Sequence, residues 1–558
     1  MISVRANRII QLTGIVVLLL FAGVAFGKHA KLAKDLENLS PGAQVDVIVR
    51  FREHPGETHH QKVGRAGGML RRQLELVDGA AYTIPAAGLE ELAALPEVDY
   101  VTPDRLVHPT LDYAEPTVKD QSVLSSNLDG TGIGIAVIDS GIEPVDDLKG
   151  AGPGKSRVVY RESFVSQVQS DDDYGHGTHV AGILAGNGNR STGKPFKTTF
   201  RGMAPNANLI DLRVLDATGN GSDAGVIAAI ERAIQLKDRY NIRIINLSLG
   251  RPVFESYQRD PLCAAVEKAW QAGITVVVAA GNFGRDNSFG NQGYFTITAP
   301  GNDPYVITVG AMKTMSTAVR SDDLIASYSS KGPSAIDFVV KPDLVAPGNS
   351  IISTIPTKSY LLRNYAGNRV PLSYYLANGQ GGMTSPDYFR LSGTSMATPI
   401  VSGAAALMLQ QEPDLTPDQV KARLMKTATK NFPPYSTATD PGTGRTYQSQ
   451  YDLFTVGAGY LDIGAALRNR ERAPAAAISP VAAYDPVTST VYLVGSASAV
   501  WGTSAVWGTS AVWGTSAVWG TSAVWGTSAV WGTSAVWGTS AVWGTSAVWG
   551  TADVTQGE

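Results

Sequence analysis

Residues 135–141 read Ile-Ala-Val-Ile-Asp-Ser-Gly, an apolar run that ends in a carboxylate and a glycine. A short, uninterrupted apolar run is typical of a strand that is buried on both faces of a parallel sheet. Such a strand carries Asp139 to its carboxyl end, which is the edge where α/β sheets place their active sites. The stretch therefore predicts an α/β fold with a functional aspartate, against the alternative that Asp139 is an ordinary turn residue after a strand.

A second segment supplies histidine among glycines. Residues 175–182 read Gly-His-Gly-Thr-His-Val-Ala-Gly, which places two histidines at the start of a small-residue helix. A lone histidine is more often a structural or a surface residue. The chain contains seven histidines, however, and five of them precede the segment that carries these motifs: His29, His54, His59, His60 and His108. His176 and His179 are therefore the candidates for a general base.

A third segment supplies a serine. Residues 391–399 read Leu-Ser-Gly-Thr-Ser-Met-Ala-Thr-Pro, in which Ser395 lies between small residues four positions before a proline. Small neighbours let a substrate carbonyl approach the hydroxyl, and a helix N-terminus behind it favours developing negative charge. A Gly-Thr-Ser tripeptide alone is more often a turn, so the interpretation of Ser395 as a nucleophile depends on the other two segments.

The order of these residues along the chain distinguishes between fold families. Nucleophilic acyl transfer needs a serine, an imidazole that takes its proton, and a carboxylate that fixes the imidazole tautomer. Chymotrypsin-like enzymes carry them in the order His, Asp, Ser, and α/β-hydrolases in the order Ser, Asp, His. Asp139, His176 and Ser395 follow the subtilisin order.

Sequence resemblance supports this assignment. The blocks IAVIDSGI, GHGTHVAG and SGTSMATP together resemble the three signature blocks of the subtilisin-like serine proteases (subtilases). A fourth block, Val-Ala-Ala-Gly-Asn at residues 278–282, resembles the family's oxyanion-hole segment, and further matches lie at residues 201–205, 346–348 and 457–462. The resemblance covers roughly residues 115–470. It implies an α/β fold with a mostly parallel, twisted sheet flanked by helices, and it implies a serine endopeptidase.

The resemblance also implies a role for each site residue. Asp139 would orient the imidazole, His176 would act as general base and then acid, and Ser395 would be the nucleophile. Asn282 would donate its side-chain amide to the oxyanion, with the backbone N–H of Ser395 as the second donor. His179 corresponds to the family's second, structural histidine and is left out of the catalytic set.

The resemblance also predicts where a peptide substrate binds. Residues 244–250, Ile-Ile-Asn-Leu-Ser-Leu-Gly, read as an apolar strand that ends at a glycine. In subtilases the Ser-Leu-Gly end pairs with an extended substrate backbone, and a Gly-Asn-Gly segment faces it, so the peptide lies between two edges by strand addition. Thr298 aligns with the base of the specificity pocket and would narrow it. The expected substrate-binding residues are Ser248, Leu249, Gly250, Gly219 and Gly221.

The chemistry requires no cofactor, and the metal content is left open. Some subtilases bind structural calcium, and Asp147 aligns with one acidic ligand of such relatives. One carboxylate does not make a calcium site, and residues 187–200 show no ligand pattern. Calcium is therefore possible but unassigned, and a plain surface charge is the simpler interpretation of Asp147.

The N-terminal sequence predicts that the protein is exported and then matured by cleavage. Arg5 and Arg8 precede an apolar stretch, residues 14–27, that is shorter than the ~20 residues needed to span a bilayer. Residues 1–27 are therefore interpreted as a signal peptide, which predicts a secreted or cell-surface protein, with a periplasmic location as an alternative.

Residues 28–110 resemble the small α+β inhibitory propeptide of subtilases. The pattern predicts a strand at residues 45–51, a basic helix at residues 64–76 and a short helix at residues 89–95. The resemblance implies a final strand that leads into the cleft. An unrelated N-terminal domain is the alternative. The mature N-terminus is expected between Arg105 and Asp120, ahead of a catalytic domain at residues 115–470.

Charge and cysteine content agree with an exported enzyme. A net charge of −3 and a pI of about 6.2 exclude nucleic acid and anionic membranes as expected partners. The single cysteine, Cys263, cannot form an internal disulfide. Leu262, Val266 and Ala269 surround it at helical spacing, which predicts a buried core thiol.

The C-terminal part differs from the rest. Residues 471–497 are interpreted as a linker, and residues 498–551 repeat the hexapeptide Ser-Ala-Val-Trp-Gly-Thr, which holds every tryptophan except Trp270. An even period places all the tryptophans on one face of an extended strand, which predicts short stacked β-strands. A disordered tail that is removed after secretion is the alternative. A tail that binds a surface or associates with itself would fit an uncharged aromatic face.

Two classes of function follow from these patterns. The favoured one is a secreted serine endopeptidase that forms an acyl-enzyme and matures by losing its propeptide. The other is a surface or interaction protein in which the repeat is the functional part and the protease only matures it. A dead protease scaffold is disfavoured, because every catalytic position is filled.

Overall fold

The structure is a computed structural model that describes residues 31–32, 36, 39–74, 78–103, 117–118, 127–150, 155–165, 171–288, 290–379, 381–440, 443–485 and 490–494. The chain forms two compact units, residues 1–108 and residues 109–558. The expected signal peptide and the hexapeptide repeats lie outside the described residues.

The N-terminal unit is a small antiparallel sheet with two helices. Its strands occur in the order β2-β3-β1-β4, and alternate residues of β1 such as Val47 and Val49 are fully buried in the unit's core. Its elements are β1 (Gln44–Phe51), α1 (Glu57–Arg65), β2 (Met69–Leu74), β3 (Gly79–Pro85), α2 (Leu89–Ala94) and β4 (Val98–Pro103). The strand predicted at residues 45–51 and the short helix predicted at residues 89–95 are found as β1 and α2.

The basic helix predicted at residues 64–76 is wrong. Helix α1 ends at Arg65, because Gly67 adopts a left-handed conformation with φ of +86° and Gly68 follows it. The chain then turns into β2, which pairs with β3. Two adjacent glycines therefore end the helix at the point where the apolar and basic pattern would have continued it.

The C-terminal unit is built on an eight-stranded sheet. Its strand order is β11-β10-β9-β8-β5-β7-β6, with β12 paired to β10, and its pairs are parallel apart from β10 with β11. These strands are β5 (Gly134–Asp139), β6 (Val158–Ser163), β7 (Asn208–Arg213), β8 (Ile242–Leu247), β9 (Thr275–Ala279), β10 (Ile307–Lys313), β11 (Leu324–Ile325) and β12 (Leu344–Pro347). Every residue of β5 and β9 is buried, as expected for strands covered on both faces. The mostly parallel α/β fold predicted from the sequence is confirmed.

Helices flank this sheet, and one of them is almost entirely buried. That helix, α8, is buried along its length from Thr394 to Leu409 and packs against β8, β9 and β10. The helices of this unit are α3 (His176–Ala185), α4 (Asp223–Tyr240), α5 (Pro261–Gln271), α6 (Tyr360–Asn364), α7 (Leu372–Tyr375), α8 (Thr394–Gln411), α9 (Pro417–Thr427), α10 (Leu453–Val456) and α11 (Ile463–Arg468). No helix in the described ranges is long and apolar enough to cross a membrane. Cys263 on α5 is fully buried, and burial raises the pKa of its thiol far above the ordinary value, which confirms the prediction of a core thiol.

The described residues of this unit also form three smaller antiparallel sheets. One has the order β13-β15-β14, and the other two are the hairpins β16–β17 and β18–β19. Their strands are β13 (Ile351–Thr354), β14 (Arg369–Pro371), β15 (Thr384–Leu391), β16 (Tyr435–Thr439), β17 (Thr446–Gln450), β18 (Val481–Asp485) and β19 (Thr490–Val494). Strand β15 leads directly into α8.

The linker expected at residues 471–497 requires a correction, because much of this segment is packed. Ala477 is fully buried, and the Ser479 hydroxyl donates to the buried carboxylate of Asp343 at 2.6 Å. Lys421 donates to the same hydroxyl at 2.9 Å, and the strand β18 follows. The alanine and proline composition resembles a linker, but the packed unit extends at least to Val494.

Candidate active site

The predicted site residues follow strands that end at one edge of the sheet. Strands β7, β5, β8 and β9 are parallel neighbours, so their carboxyl ends meet at the same edge. Asp139 ends β5, Gly219 and Gly221 follow β7, Ser248 follows β8, and Asn282 follows β9. The topology therefore brings together segments that are far apart in the sequence.

Asp139 and His176 form a buried pair. The Nδ1 atom of His176 lies 2.7 Å from Oδ1 of Asp139, and the two side chains are 0% and 1% exposed. The backbone N–H of Ser140 donates to the same carboxylate oxygen at 2.7 Å. A carboxylate on Nδ1 fixes the imidazole tautomer that keeps Nε2 available to accept a proton.

Glycines around His176 make this close approach possible. Gly175, just before the helix, has a φ of +104°. A Cβ atom on Gly177 would lie 2.2 Å from the Gly141 carbonyl oxygen and 3.2 Å from the Asp139 Cβ. The first turn of α3 therefore contacts the turn after β5 at backbone distance, and only glycine fits at residue 177.

Asp172 holds the start of α3 and was missed by the sequence analysis. Its carboxylate is 3% exposed and accepts hydrogen bonds from the N–H of Gly175 (2.7 Å), the N–H of Thr178 (2.8 Å) and the hydroxyl of Ser140 (2.8 Å). Burial raises the pKa of this carboxyl, and its hydrogen bonds act in the opposite direction. Asp172 is the middle of three consecutive aspartates, a pattern that looks like an exposed acidic run.

Ser395 lies in the first turn of α8 and is 3% exposed. Its hydroxyl donates to the Ser248 carbonyl at 3.0 Å, and the Ser248 hydroxyl donates to the Ser395 carbonyl at 2.8 Å. Helix α8 packs against α3, the helix that begins with His176. The fold thus brings two of the predicted site segments, one after β8 and one at the start of α8, into direct contact.

His179 connects α3 to the strand that leads into Ser395. Its Nε2 atom lies 3.0 Å from the Phe389 carbonyl oxygen on β15, and the backbone carbonyl of His179 accepts a hydrogen bond from the Ser353 hydroxyl at 2.7 Å. Burial lowers the pKa of His179 to about 3, so the ring is neutral at ordinary pH. These contacts support the structural role that the sequence resemblance implies for His179.

Asn282 is oriented by the residue before Ser395. Its Oδ1 atom accepts hydrogen bonds from the Thr394 N–H at 2.8 Å and the Thr394 hydroxyl at 3.1 Å. The Nδ2 atom lies beside Gly393, because a Cβ atom placed on Gly393 would be 3.2 Å from it. The amide of Asn282 therefore lies next to the start of α8.

The predicted peptide-binding glycines lie against aromatic and polar side chains. A Cβ atom on Gly219 would lie 2.7 Å from the Tyr174 ring, and one on Gly250 would lie 2.5 Å from the Thr298 hydroxyl. The Tyr174 ring is centred 6.4 Å from the His176 ring and stacks on Tyr360 at 5.9 Å. Tyr174 thus connects the Gly219 segment to His176, a contact that no local sequence pattern indicates.

The surroundings of Asp147 do not fit a calcium site. Its carboxylate accepts hydrogen bonds from the Arg190 N–H at 2.7 Å and from the Tyr388 hydroxyl at 2.6 Å. The Arg190 guanidinium lies 3.2 Å from Asp146 and pairs with Asp387. An arginine therefore already provides the positive charge among these carboxylates. Among the described residues, no group of three or more His, Cys, Asp or Glu side chains could hold a metal ion.

Comparison with known proteins agrees with this geometry. Residues 130–459 match the family described as the Subtilase family. Serine protease AprX of Bacillus subtilis is 38% identical over 403 residues, which are 70% of this chain and 84% of that protein. Subtilisin E of the same organism is 35% identical over 370 residues, which are 66% of this chain and 80% of that protein.

The Asp172 cluster gives a testable prediction. Replacing Asp172 with Ala leaves two buried N–H groups and a buried hydroxyl without their acceptor, which should lower the free energy of unfolding by about 2–3 kcal/mol. The neighbouring Asp171 is the matched control, because its side chain is 65% exposed and pairs with Arg161 only at 3.7 Å. Asp171→Ala should cost less than about 1 kcal/mol. Urea unfolding of both variants, each in a Ser395→Ala background, measures the difference, and equal losses would contradict it.

Proposed function

The chain belongs to the subtilase family and is a serine endopeptidase, and we propose that Asp139, His176 and Ser395 are its catalytic residues. The observation that carries the proposal is the buried Asp139–His176 pair with its 2.7 Å contact. Its support is the position of Ser395 at the start of α8, a helix that packs against the helix of His176. Subtilases need no cofactor for catalysis.

In the proposed first step, the Ser395 hydroxyl attacks the carbonyl carbon of the scissile peptide bond. His176 takes the hydroxyl proton on Nε2, and the carbonyl oxygen becomes a tetrahedral oxyanion. The intermediate then expels the amine, which receives the proton from His176, and an ester to Ser395 remains. Water, deprotonated by the same imidazole, attacks that ester and regenerates the serine.

The other site residues act on charge and orientation. Asp139 holds the imidazole by Nδ1 and stabilises the imidazolium that forms during each step. The Asn282 amide and the Ser395 N–H would donate to the oxyanion, whose charge exists only after attack, so their hydrogen bonds lower the barrier rather than hold the substrate. The contact of Asn282 with Thr394 at 2.8 Å supports this role.

The substrate would bind as an added strand. Gly219 and Gly221 would form one edge, and residues 248–250 the other, with a peptide chain between them. The position of the two segments supports the proposal, because they follow β7 and β8, whose carboxyl ends meet at one edge of the sheet. The side chain of Leu249 is 2% exposed, so residue 249 would contact a peptide through its backbone.

The first prediction of this proposal concerns Ser395. Ser395→Ala should lower kcat by about a millionfold, because attack then has no nucleophile. A serine-directed fluorophosphonate should label the wild-type protein at Ser395, and peptide mapping by mass spectrometry identifies the residue.

Asn282→Ala provides a graded comparison. Losing one oxyanion donor should lower kcat by about 10²–10³-fold and leave KM nearly unchanged. Full activity in Ser395→Ala would refute the catalytic assignment as a whole. A large effect of Asn282→Ala on KM alone would refute only its role at the oxyanion.

We further propose that the protein is secreted and that residues 28–110 form an inhibitory propeptide. The compact N-terminal unit with its own core, which ends at residue 108, supports this role. A folded unit ahead of the enzyme can template its folding and cover its cleft until it is cut.

Self-processing can be tested with the inactive enzyme. Ser395→Ala, expressed with its own leader, should accumulate as an uncut precursor, because the bond between the units is cut by Ser395 itself. N-terminal sequencing should place the wild-type start between Arg105 and Asp120. A Ser395→Ala protein that still appears with that start would show that another protease does the cutting.

The hexapeptide tail is proposed to attach the enzyme to a surface or to other copies of itself. Its regularly spaced tryptophans support this role, because flexible spacers lack such residues. The same regular spacing would also fit the alternative function, in which the repeat is the functional part and the protease only matures it. The repeat supplies no catalytic group, so it should be dispensable for hydrolysis.

A truncation separates these roles. The chain should be cut after Val494 and not after Arg472, because cutting at Arg472 would remove the packed Ser479. The shortened enzyme should keep its wild-type kcat/KM and lose self-association, measured by sedimentation, or retention on cells. If it is folded but inactive, the tail and the enzyme are not separable as proposed.

A further inference from the structure

Helix α8 contains a proline whose position affects the nucleophile. Pro399 lies inside the helix, and proline has no backbone N–H. In a regular α-helix, the N–H of residue 399 would donate to the carbonyl of residue 395, four positions earlier. Pro399 therefore removes the helical hydrogen bond of the Ser395 carbonyl.

A side chain from the sheet replaces the missing donor. The Ser248 hydroxyl, just beyond the end of β8, donates to the Ser395 carbonyl at 2.8 Å. Ser248 is 0% exposed and Ser395 is 3% exposed, so water is a poor substitute at this position. The Ser395 hydroxyl in turn donates to the Ser248 carbonyl at 3.0 Å. The two serines are thus joined by two hydrogen bonds.

Two further side chains orient the Ser248 hydroxyl. Asn246 donates its Nδ2–H to the Ser248 oxygen at 3.0 Å, and Ser402 donates its hydroxyl to Asn246 Oδ1 at 2.8 Å. Asn246 and Ser248 lie two residues apart along an extended segment, and Ser395 and Ser402 lie seven residues apart on a helix. Each spacing puts both residues on one face. The hydrogen bonds therefore run in one direction, from Ser402 through Asn246 and Ser248 to the Ser395 carbonyl.

We propose that Ser248, Asn246 and Ser402 are positioning residues that set the backbone of the nucleophile, an inference that rests on the proposed role of Ser395. Fixing the Ser395 carbonyl fixes the ψ angle of that residue, and the hydrogen bond from its hydroxyl to the Ser248 carbonyl at 3.0 Å holds the hydroxyl on the same partner. Because Pro399 frees this carbonyl from the helix, the nucleophile is aligned to the sheet edge, where the substrate would bind, and not to its own helix. A chain of oriented hydrogen bonds holds such a position better than one isolated bond.

The test is a cycle of variants at Ser248 and Pro399. Ser248→Ala leaves the buried Ser395 carbonyl without a donor and should lower kcat about tenfold at nearly constant KM, the effect of losing one buried hydrogen bond. Pro399→Ala returns an N–H that can reach the same carbonyl. The double variant should therefore regain most of the kcat lost in Ser248→Ala, to within about threefold of Pro399→Ala alone.

Unfolding measurements distinguish a positioning role of Ser248 from a general loss of stability. In the double variant the Asn246 amide still lacks its Ser248 acceptor, so the unfolding midpoint should stay low while kcat recovers. Rates are expressed per active site titrated with a fluorophosphonate, so misfolded protein does not contribute. Ser334→Ala is the matched control, because this buried hydroxyl accepts only from the Val339 N–H at 3.0 Å in a separate loop. It should lower stability without changing kcat.

The kcat values of these variants either support or overturn the positioning role of Ser248. Wild-type kcat in Ser248→Ala, or an equally slow double variant, would overturn the proposal, because the Ser395 carbonyl would not be the point of action. Ser402→Ala should show a smaller loss of kcat, since Ser402 is two hydrogen bonds further from the Ser395 carbonyl than Ser248 is. Labelling of Ser395 in every variant, with none in Ser395→Ala, shows that the proposed catalytic assignment stands whichever way the cycle turns out.

Discussion

The close approach of α3 to the carboxyl end of β5 is the constraint on which the site depends. Gly177 lies so near the Gly141 carbonyl that any Cβ atom would collide with it. This contact places a buried imidazole on a buried carboxylate. It also buries the backbone N–H groups at the start of α3, and buried N–H groups need hydrogen-bond acceptors from the protein. Asp172 and Ser140 meet that need, since they take up the N–H groups at the start of the helix. The pair is therefore held from both sides before any substrate arrives.

Helix α8 gives a related support to Ser395, the proposed nucleophile. The buried helix gives Ser395 a rigid position, and its first turn contacts the sheet edge through Ser248. Asn282, Thr394 and Ser248 connect that first turn to strand ends on the sheet, so the proposed catalytic groups belong to one connected frame. Electrostatic stabilisation of an oxyanion depends on donors that need not move during the reaction, and this frame would provide that condition for the proposed donors.

Two clusters of charged side chains elsewhere are paired within the protein. Arg190 lies among Asp146, Asp147 and Asp387. Deeper in the unit, Asp343 pairs with Lys341 and Lys421, all with 0% exposed side chains. Burial lowers the pKa of Lys421 to about 7, and its ammonium donates to backbone carbonyls of residues 304–306 and to Ser479. Ser479 shows why residues beyond 470 belong to the packed unit despite their linker-like composition.

The sequence by itself determined the fold class, the strand that carries Asp139, the serine and histidine motifs and the buried state of Cys263, because local apolar patterns and chain order encode them. It did not identify Asp172, Tyr174 or the partners of Asp147, and it misjudged residues 64–76 and 471–497. Asp172 sits in an acidic run, and the link between Ser248 and Ser395 joins residues 147 positions apart. Only the tertiary structure decided these points, since burial and hydrogen-bond partners depend on which distant segments the sheet brings to one edge.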